Sequence, residues 1–189
     1  MAKPTVKNIA VPSVVLIIIC LVISAALAFT NDITKDRIAE IDKQNSINAM
    51  AEIFTDEGVE FSDNYTVVRN DTEYFYSIAS ANGEQIGFIF TTSSSGYGGE
   101  VKVMTGVNND GTVKAIKVLS VADETPGLGQ AATNPEFTAQ FSGKSGQIST
   151  EKNHDVDALT GATITTKAVI NDVNIALELF EEVKRGGAE

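Results

Sequence analysis

The chain has 189 residues, enough for one globular domain of ordinary size and an appendage. Its 14 Lys plus Arg stand against 25 Asp plus Glu, a formal net charge of -11, which leaves no basic face for a broad electrostatic grip on nucleic acid. A single cysteine, Cys20, excludes an internal disulfide or a thiolate metal cluster, and a single histidine, His154, leaves little for a metal site or a His-dependent triad.

Residues 9–30 contain the uncharged run IAVPSVVLIIICLVISAALAF, long enough to cross a hydrocarbon core of roughly 30 Å as a helix. A transmembrane helix is expected there. Lys3 and Lys7 precede it and Asp32, Asp36 and Glu40 follow, so the positive-inside bias puts residues 1–8 in the cytoplasm and the rest of the chain outside. A cleaved signal peptide shares the lysines and the apolar centre, and Ala26-Leu27-Ala28 offers a small-x-small cleavage pattern. The full spanning length favours an uncleaved anchor, and either reading leaves the remainder on the same side of the membrane. Cys20 follows Ile19, too bulky for the usual lipoprotein cleavage site, and is expected to face lipid or a neighbouring helix.

A linker helix is expected over residues 31–60, because Ile33, Ile38, Ile41, Ile47, Met50, Ile53 and Phe54 recur near the helical period. Strand-like runs follow at 65–69, 73–80, 85–91, 100–105 and 113–119. Ala81-Asn82-Gly83 and Asn108-Asn109-Asp110-Gly111 join them with hairpin chemistry, which describes an antiparallel sheet. Val169, Val173, Ala176, Leu177, Phe180 and Val183 then form one apolar stripe on a closing helix that ends near Gly186-Gly187. The fold class expected is α+β: an amino-terminal transmembrane helix, then one domain over 61–189 in which a carboxy-terminal helix packs on an antiparallel sheet.

Two loops stand where the regular patterns stop. Glu124-Thr125-Pro126-Gly127-Leu128-Gly129 follows a strand, with a proline fixing one dihedral and glycines permitting positive ones. Asp157-Ala158-Leu159-Thr160-Gly161-Ala162-Thr163 leads into the closing helix, with Thr165 and Thr166 just beyond. As plain turns, these loops need one hydroxyl to cap the helix, which accounts for one of the four threonines. As a site, the second loop would offer unpaired amides, the positive end of the helix dipole and threonine hydroxyls to an anion such as phosphate, with Gly161 and Ala162 leaving room for close approach.

The pattern Asp157-x-x-Thr160-Gly161-Ala162-Thr163 resembles the flavinylation motif of the FMN-binding domain family. Gly96-Tyr97-Gly98-Gly99, the hairpin Asn109-Asp110-Gly111, and the Glu124 to Gly129 loop extend the resemblance. With the amino-terminal anchor, the layout is similar to the G subunits of Rnf complexes and to their paralogues, the C subunits of Na+-translocating NADH:quinone reductases; the little sequence between anchor and domain favours the former.

The resemblance implies an FMN joined by a phosphodiester to Thr163 through a dedicated flavin transferase. It implies that Asp157 helps present the Thr163 hydroxyl, that Thr160, Gly161 and Ala162 lie near the phosphate, and that Glu124, Thr125, Leu128 and Gly129 line the ring or ribityl chain, with Tyr97 shielding the flavin. The expected partners are the other membrane subunits of an Rnf-type ion-translocating ferredoxin:NAD+ oxidoreductase, because the chain shows no nicotinamide or ferredoxin site of its own; no catalytic side chain and no protein-bound metal are expected. Two other readings of the loops remain: a non-redox anchored binding module, and a self-contained flavin reductase with His154 or Glu124 as its acid or base.

Overall fold

The computed structural model describes residues 6–150 and 155–186, and the chain divides into two units, Met1–Gln44 and Asn45–Glu189. His154 and Gly187 lie outside the described residues. Helix α1 (Val6–Ile53) supplies the described part of the first unit, and its last turns belong to the second. In the first unit Leu16, Leu21, Leu27 and Phe29 are exposed, and the helix is long and apolar enough to cross a membrane.

The apolar stripe expected over 32–54 is only partly used. Ile33, Ile38, Ile41 and Ile47 are exposed, and only Met50, Ile53 and Phe54, with Ala49, join the core of the second unit. The reason lies in the sheet, where two glycines make a seat for the last turn. A Cβ on Gly106 would come within 2.2 Å of Ile53, and one on Gly87 within 2.6 Å of the Phe54 ring. The helix ends at Ile53 rather than continuing to residue 60, and a short strand follows.

That sheet has six strands: β1 (Val59–Phe61), β2 (Tyr65–Arg69), β3 (Thr72–Ala81), β4 (Glu84–Ser95), β5 (Glu100–Asn108) and β6 (Val113–Ser120). All pairings are antiparallel, in the order β1-β3-β4-β5-β6, and β2 shares the outer edge of β3 with β1. The hairpins follow from turn chemistry. Asn70 and Asp71 (φ 49° and 60°), then Asn82 and Gly83 (φ 54° and 82°), each form a two-residue loop with both central residues left-handed, the type I′ geometry that matches strand twist. Strand β1 is not among the strands expected from sequence. It is three residues long with a charged centre, and Ser62 bridges the break before β2 by accepting the Ile78 amide at 2.9 Å.

Side chains alternate across the sheet, so each face meets a different helix. Phe88, Phe90, Val101, Val103 and Val107 face α3 (Thr163–Arg185), whose Val169, Val173, Ala176, Leu177 and Phe180 are buried against them. Phe88 and Phe180 meet edge to face at 5.5 Å, and burying such a ring stabilises the fold by roughly 3 kcal/mol. Ile89 and Met104 face the other way, toward Ile53 and Phe54. The short helix α2 (Pro135–Thr138), flanked by 3-10 turns at Gly129–Thr133 and Ala139–Phe141, closes the β6 side with Phe137 and Phe141 in the α3-side core.

Candidate functional site

Three connecting segments meet at the end of the sheet where β4 turns into β5 and β6 finishes. The first is the turn Gly96-Tyr97-Gly98-Gly99, closed by the Gly96 amide donating to the Gly99 carbonyl at 2.7 Å. The second is the loop after β6, where Pro126 and Gly127 (φ 76°) occupy the centre of a turn closed by the Leu128 amide on the Thr125 carbonyl at 3.1 Å. In the third, the Ala162 amide donates to the Leu159 carbonyl at 3.0 Å around Thr160 and Gly161 (φ 75°), and α3 begins at the next residue.

One carboxylate joins all three. Glu124 is 3% exposed; its Oε1 accepts the amides of Tyr97 at 2.7 Å and Gly98 at 3.2 Å, and its Oε2 accepts the Thr165 hydroxyl at 2.7 Å. The space around it is made by glycines. A Cβ on Gly96 would stand 2.1 Å from Oε1 and one on Gly129 2.3 Å from Oε2, both impossible contacts.

These segments enclose a cleft of about 430 Å³ lined by Tyr97, Glu124, Thr125, Leu128, Gly129, Gly161, Ala162, Thr163, Ile164 and Thr165. Its volume falls within the roughly 300–1,000 Å³ of small-molecule sites. The rim is apolar and open: Tyr97 is 71% exposed, Ile164 51% and Leu128 43%. At one side lies the amino terminus of α3, whose first-turn amides have no partner inside the helix. Thr163 is exposed at the first residue of that helix.

Eight of the residues singled out in the sequence therefore share one cleft: Tyr97, Glu124, Thr125, Leu128, Gly129, Gly161, Ala162 and Thr163. Asp157 and Thr160 do not line it; both are exposed, and the Asp157 amide donates to Gln140 Oε1 at 2.7 Å, tying the loop to the segment after α2. Ile164 and Thr165 also line the cleft, and the sequence pattern does not mark them as lining residues. Thr165 is wholly buried on Glu124, a partner 41 positions away that no local pattern reveals.

The four threonines divide in pairs. Among the described residues no side chain caps α3: the residue before it is Ala162, with φ -131° and ψ 45°. Thr166, fully buried, accepts the Leu159 amide at 3.1 Å and donates to the Ala162 carbonyl at 3.0 Å, so it shapes the turn from inside. Thr165 and Thr166 are thus interior struts, while Thr160 and Thr163 face outward.

A second polar anchor fixes α3 against β4. Asp172 has no exposed surface; Ser94 donates to its Oδ1 at 2.5 Å, Thr92 donates to its backbone carbonyl at 3.1 Å, and its Oδ2 has no hydrogen-bond partner among the described residues. Burial pushes the Asp172 carboxyl up to about 7, with the Ser94 hydrogen bond opposing and the charge of Glu100 adding. Ser94 lies two residues before the turn that carries Tyr97, so this anchor sets α3 beside one wall of the cleft.

Two family models match the chain: the FMN-binding domain over residues 96–178, which contains every residue lining the cleft, and the RnfG N-terminal region over residues 1–53. The G subunit of the Na(+)-translocating ferredoxin:NAD(+) oxidoreductase complex of Acetobacterium woodii is 31% identical over 90% of this chain and 91% of its own length. The chain belongs to the G subunit family of ion-translocating oxidoreductase (Rnf) complexes. The G subunit of the proton-translocating ferredoxin:NAD(+) oxidoreductase complex of Clostridium ljungdahlii is 32% identical over 62% of this chain and 70% of its own. Among solved structures, the C subunit of the Na(+)-translocating NADH-quinone reductase from Parabacteroides distasonis superposes with a TM-score of 0.50 at 22% identity, covering 64% of this chain and 78% of that one, which supports the fold. As a family member with an apolar amino-terminal helix of spanning length, this G subunit is membrane-anchored and carries an FMN-binding domain.

Proposed function

We propose that this protein carries electrons through an FMN held covalently in the cleft, as one station of a membrane-bound, ion-translocating ferredoxin:NAD+ oxidoreductase. The observation that carries this reading is the position of Thr163: an exposed hydroxyl on the first residue of α3, on the wall of a cleft that lies wholly inside the FMN-binding domain match. When bound, the flavin supplies one- or two-electron acceptance, while the chain sets its orientation and surroundings.

The residues present fit that group. The first turn of α3 would offer backbone donors and the positive end of the helix dipole to a phosphate held on Thr163 Oγ1. Gly161 and Ala162 keep the approach to that oxygen low, and Tyr97, Leu128 and Ile164 give an apolar rim for a planar ring system, with Thr125 and Gly129 on the wall between. Asp157 and Thr160, exposed and off the cleft wall, serve in this reading to present the loop to the flavin transferase rather than to hold the finished cofactor. A covalent tether keeps the flavin at high effective concentration beside the other subunits of the complex. Lys3 and Lys7 before the span and Asp32, Asp36 and Glu40 after it orient the domain to the extracytoplasmic side.

Two measurements test this. Protein made with an active flavin transferase should fluoresce in a denaturing gel and exceed the mass of the bare chain by FMN less one water; Thr163→Ala should abolish both, and covalent flavin surviving in that variant would refute the attachment site. Protease added to intact spheroplasts should remove the domain, and full protection would reverse the orientation.

A further inference from the structure

The described residues lining the cleft include one charged group, Glu124, and it is buried in the wall rather than reaching out from the rim. A buried carboxylate is costly unless donors satisfy it, and here three do, drawn from both sides of the cleft's frame: two amides of the Tyr97 turn and the hydroxyl of Thr165 in the first turn of α3. A neutral pair of the same shape would cross-link the loops as well. The four glycines packed here keep the place open: a Cβ on Gly96 or Gly129 would collide with the carboxylate, and one on Gly98 or Gly99 with the backbone or side chain of Asp123. The geometry therefore places a carboxylate that accepts three hydrogen bonds beside a site with no cationic residue among its described lining.

We propose that Glu124 is a positioning residue with an electrostatic role, holding the Tyr97 turn and the start of α3 in register while its charge makes whatever flavin occupies the cleft harder to reduce. The inference rests on the cleft being the flavin site. Adding electrons beside a fixed negative charge in a partly desolvated wall is opposed by Coulomb repulsion, which water screens poorly there. Glu124 thereby acts through the charge of the site and through the loops it binds.

The test compares midpoint potentials of the bound flavin in the full-length chain, measured by spectroelectrochemistry on the flavin-loaded fraction. Glu124→Gln keeps the shape and can still accept the Tyr97 and Gly98 amides through its carbonyl oxygen, so the potential should move to more positive values. Glu136→Gln, which removes the same charge from an exposed position on α2 outside the cleft, should leave it where it is. Thr165→Val keeps the charge and deletes one of its donors, and should move the potential the opposite way, to more negative values. Equal potentials in wild type and Glu124→Gln, or a shift of the same sign and size in Glu136→Gln, would overturn the electrostatic role. Should Glu124→Gln not fold, Thr165→Val decides: an unchanged or more positive potential there overturns the proposal. Failure of the flavin reading itself shows separately, as covalent flavin persisting in Thr163→Ala.

Discussion

Asp172 gives the fold a stability that should fall as pH rises, opposite to the usual behaviour of a native carboxylate. Its side chain is wholly buried between α3 and β4, with one oxygen bonded to Ser94 and the other without a partner among the described residues, and burial raises it to about 7. In the unfolded chain an aspartate titrates near 3.9, so the folded state holds this proton through a window in which the unfolded state has lost it. Stability from the protonated form is fully present below the unfolded value and is lost as pH climbs through about 7. Within the window the loss amounts to about 1.4 kcal/mol per pH unit, and across the whole of it to roughly 4 kcal/mol as an upper figure. Asp172→Asn removes the titration while its carbonyl oxygen still accepts from Ser94. Thermal melts of the full-length protein in detergent, followed by near-ultraviolet circular dichroism at pH 5, 6, 7 and 8, should show the variant gaining on wild type from pH 5 to 7 and levelling off by pH 8. For a chain of this size each kcal/mol corresponds to roughly 2–4 °C in Tm. Using the difference between the two proteins cancels the ordinary carboxylates, whose contributions run the other way. A difference that stays flat from pH 5 to 8 would refute the claim that Asp172 is held neutral.

Two further substitutions probe the frame of the cleft. Gly129→Ala sets a methyl group 2.3 Å from Glu124 Oε2 and 2.9 Å from Thr165 Oγ1, both buried; it should cost about 1–3 kcal/mol by overpacking and reduce covalent flavin on the gel, and normal loading would show that the Glu124 cross-link can shift without consequence. Thr166→Val leaves the Leu159 amide without its acceptor and should lower stability by about 1–3 kcal/mol in the same melts, more than an exposed threonine such as Thr160 changed to valine would.

Much of this fold is legible because its signals are local. Asn82-Gly83 announces a type I′ hairpin within four residues, and the stripe Val169, Val173, Ala176, Leu177, Phe180 states the buried face of α3 through the helical period alone. The apolar residues 33–47 carry the same kind of pattern and are exposed here, while Gly87 and Gly106 of the sheet make room for Phe54 and Ile53 at the end of α1. Strand β1 escapes because three residues with a charged centre give no alternation to read; its pairing to β3 exists through partners some twenty positions away.

Asp172 is the more instructive miss, since the period does contain it. Position 172 follows 169 by three and precedes 176 by four, so helical spacing puts it on the buried stripe; only its polarity argues for the solvent face. The structure sides with the spacing and meets the polarity with Ser94. Glu124 presents the same conflict in a loop, a charged residue among glycines where a turn needs none, resolved by amides and a hydroxyl drawn from two other segments. Both are places where local chemistry and burial disagree, and natural sequences keep such disagreements chiefly where function or a specific register requires them. Here the two residues bracket one site: Asp172 fixes α3 against the strand that leads into the Tyr97 turn, and Glu124 ties that turn to the start of the same helix. A turn with a 71% exposed tyrosine at its tip and an exposed threonine on the facing helix are held in register by buried acids, which hydrophobic packing, being non-directional, would not achieve alone.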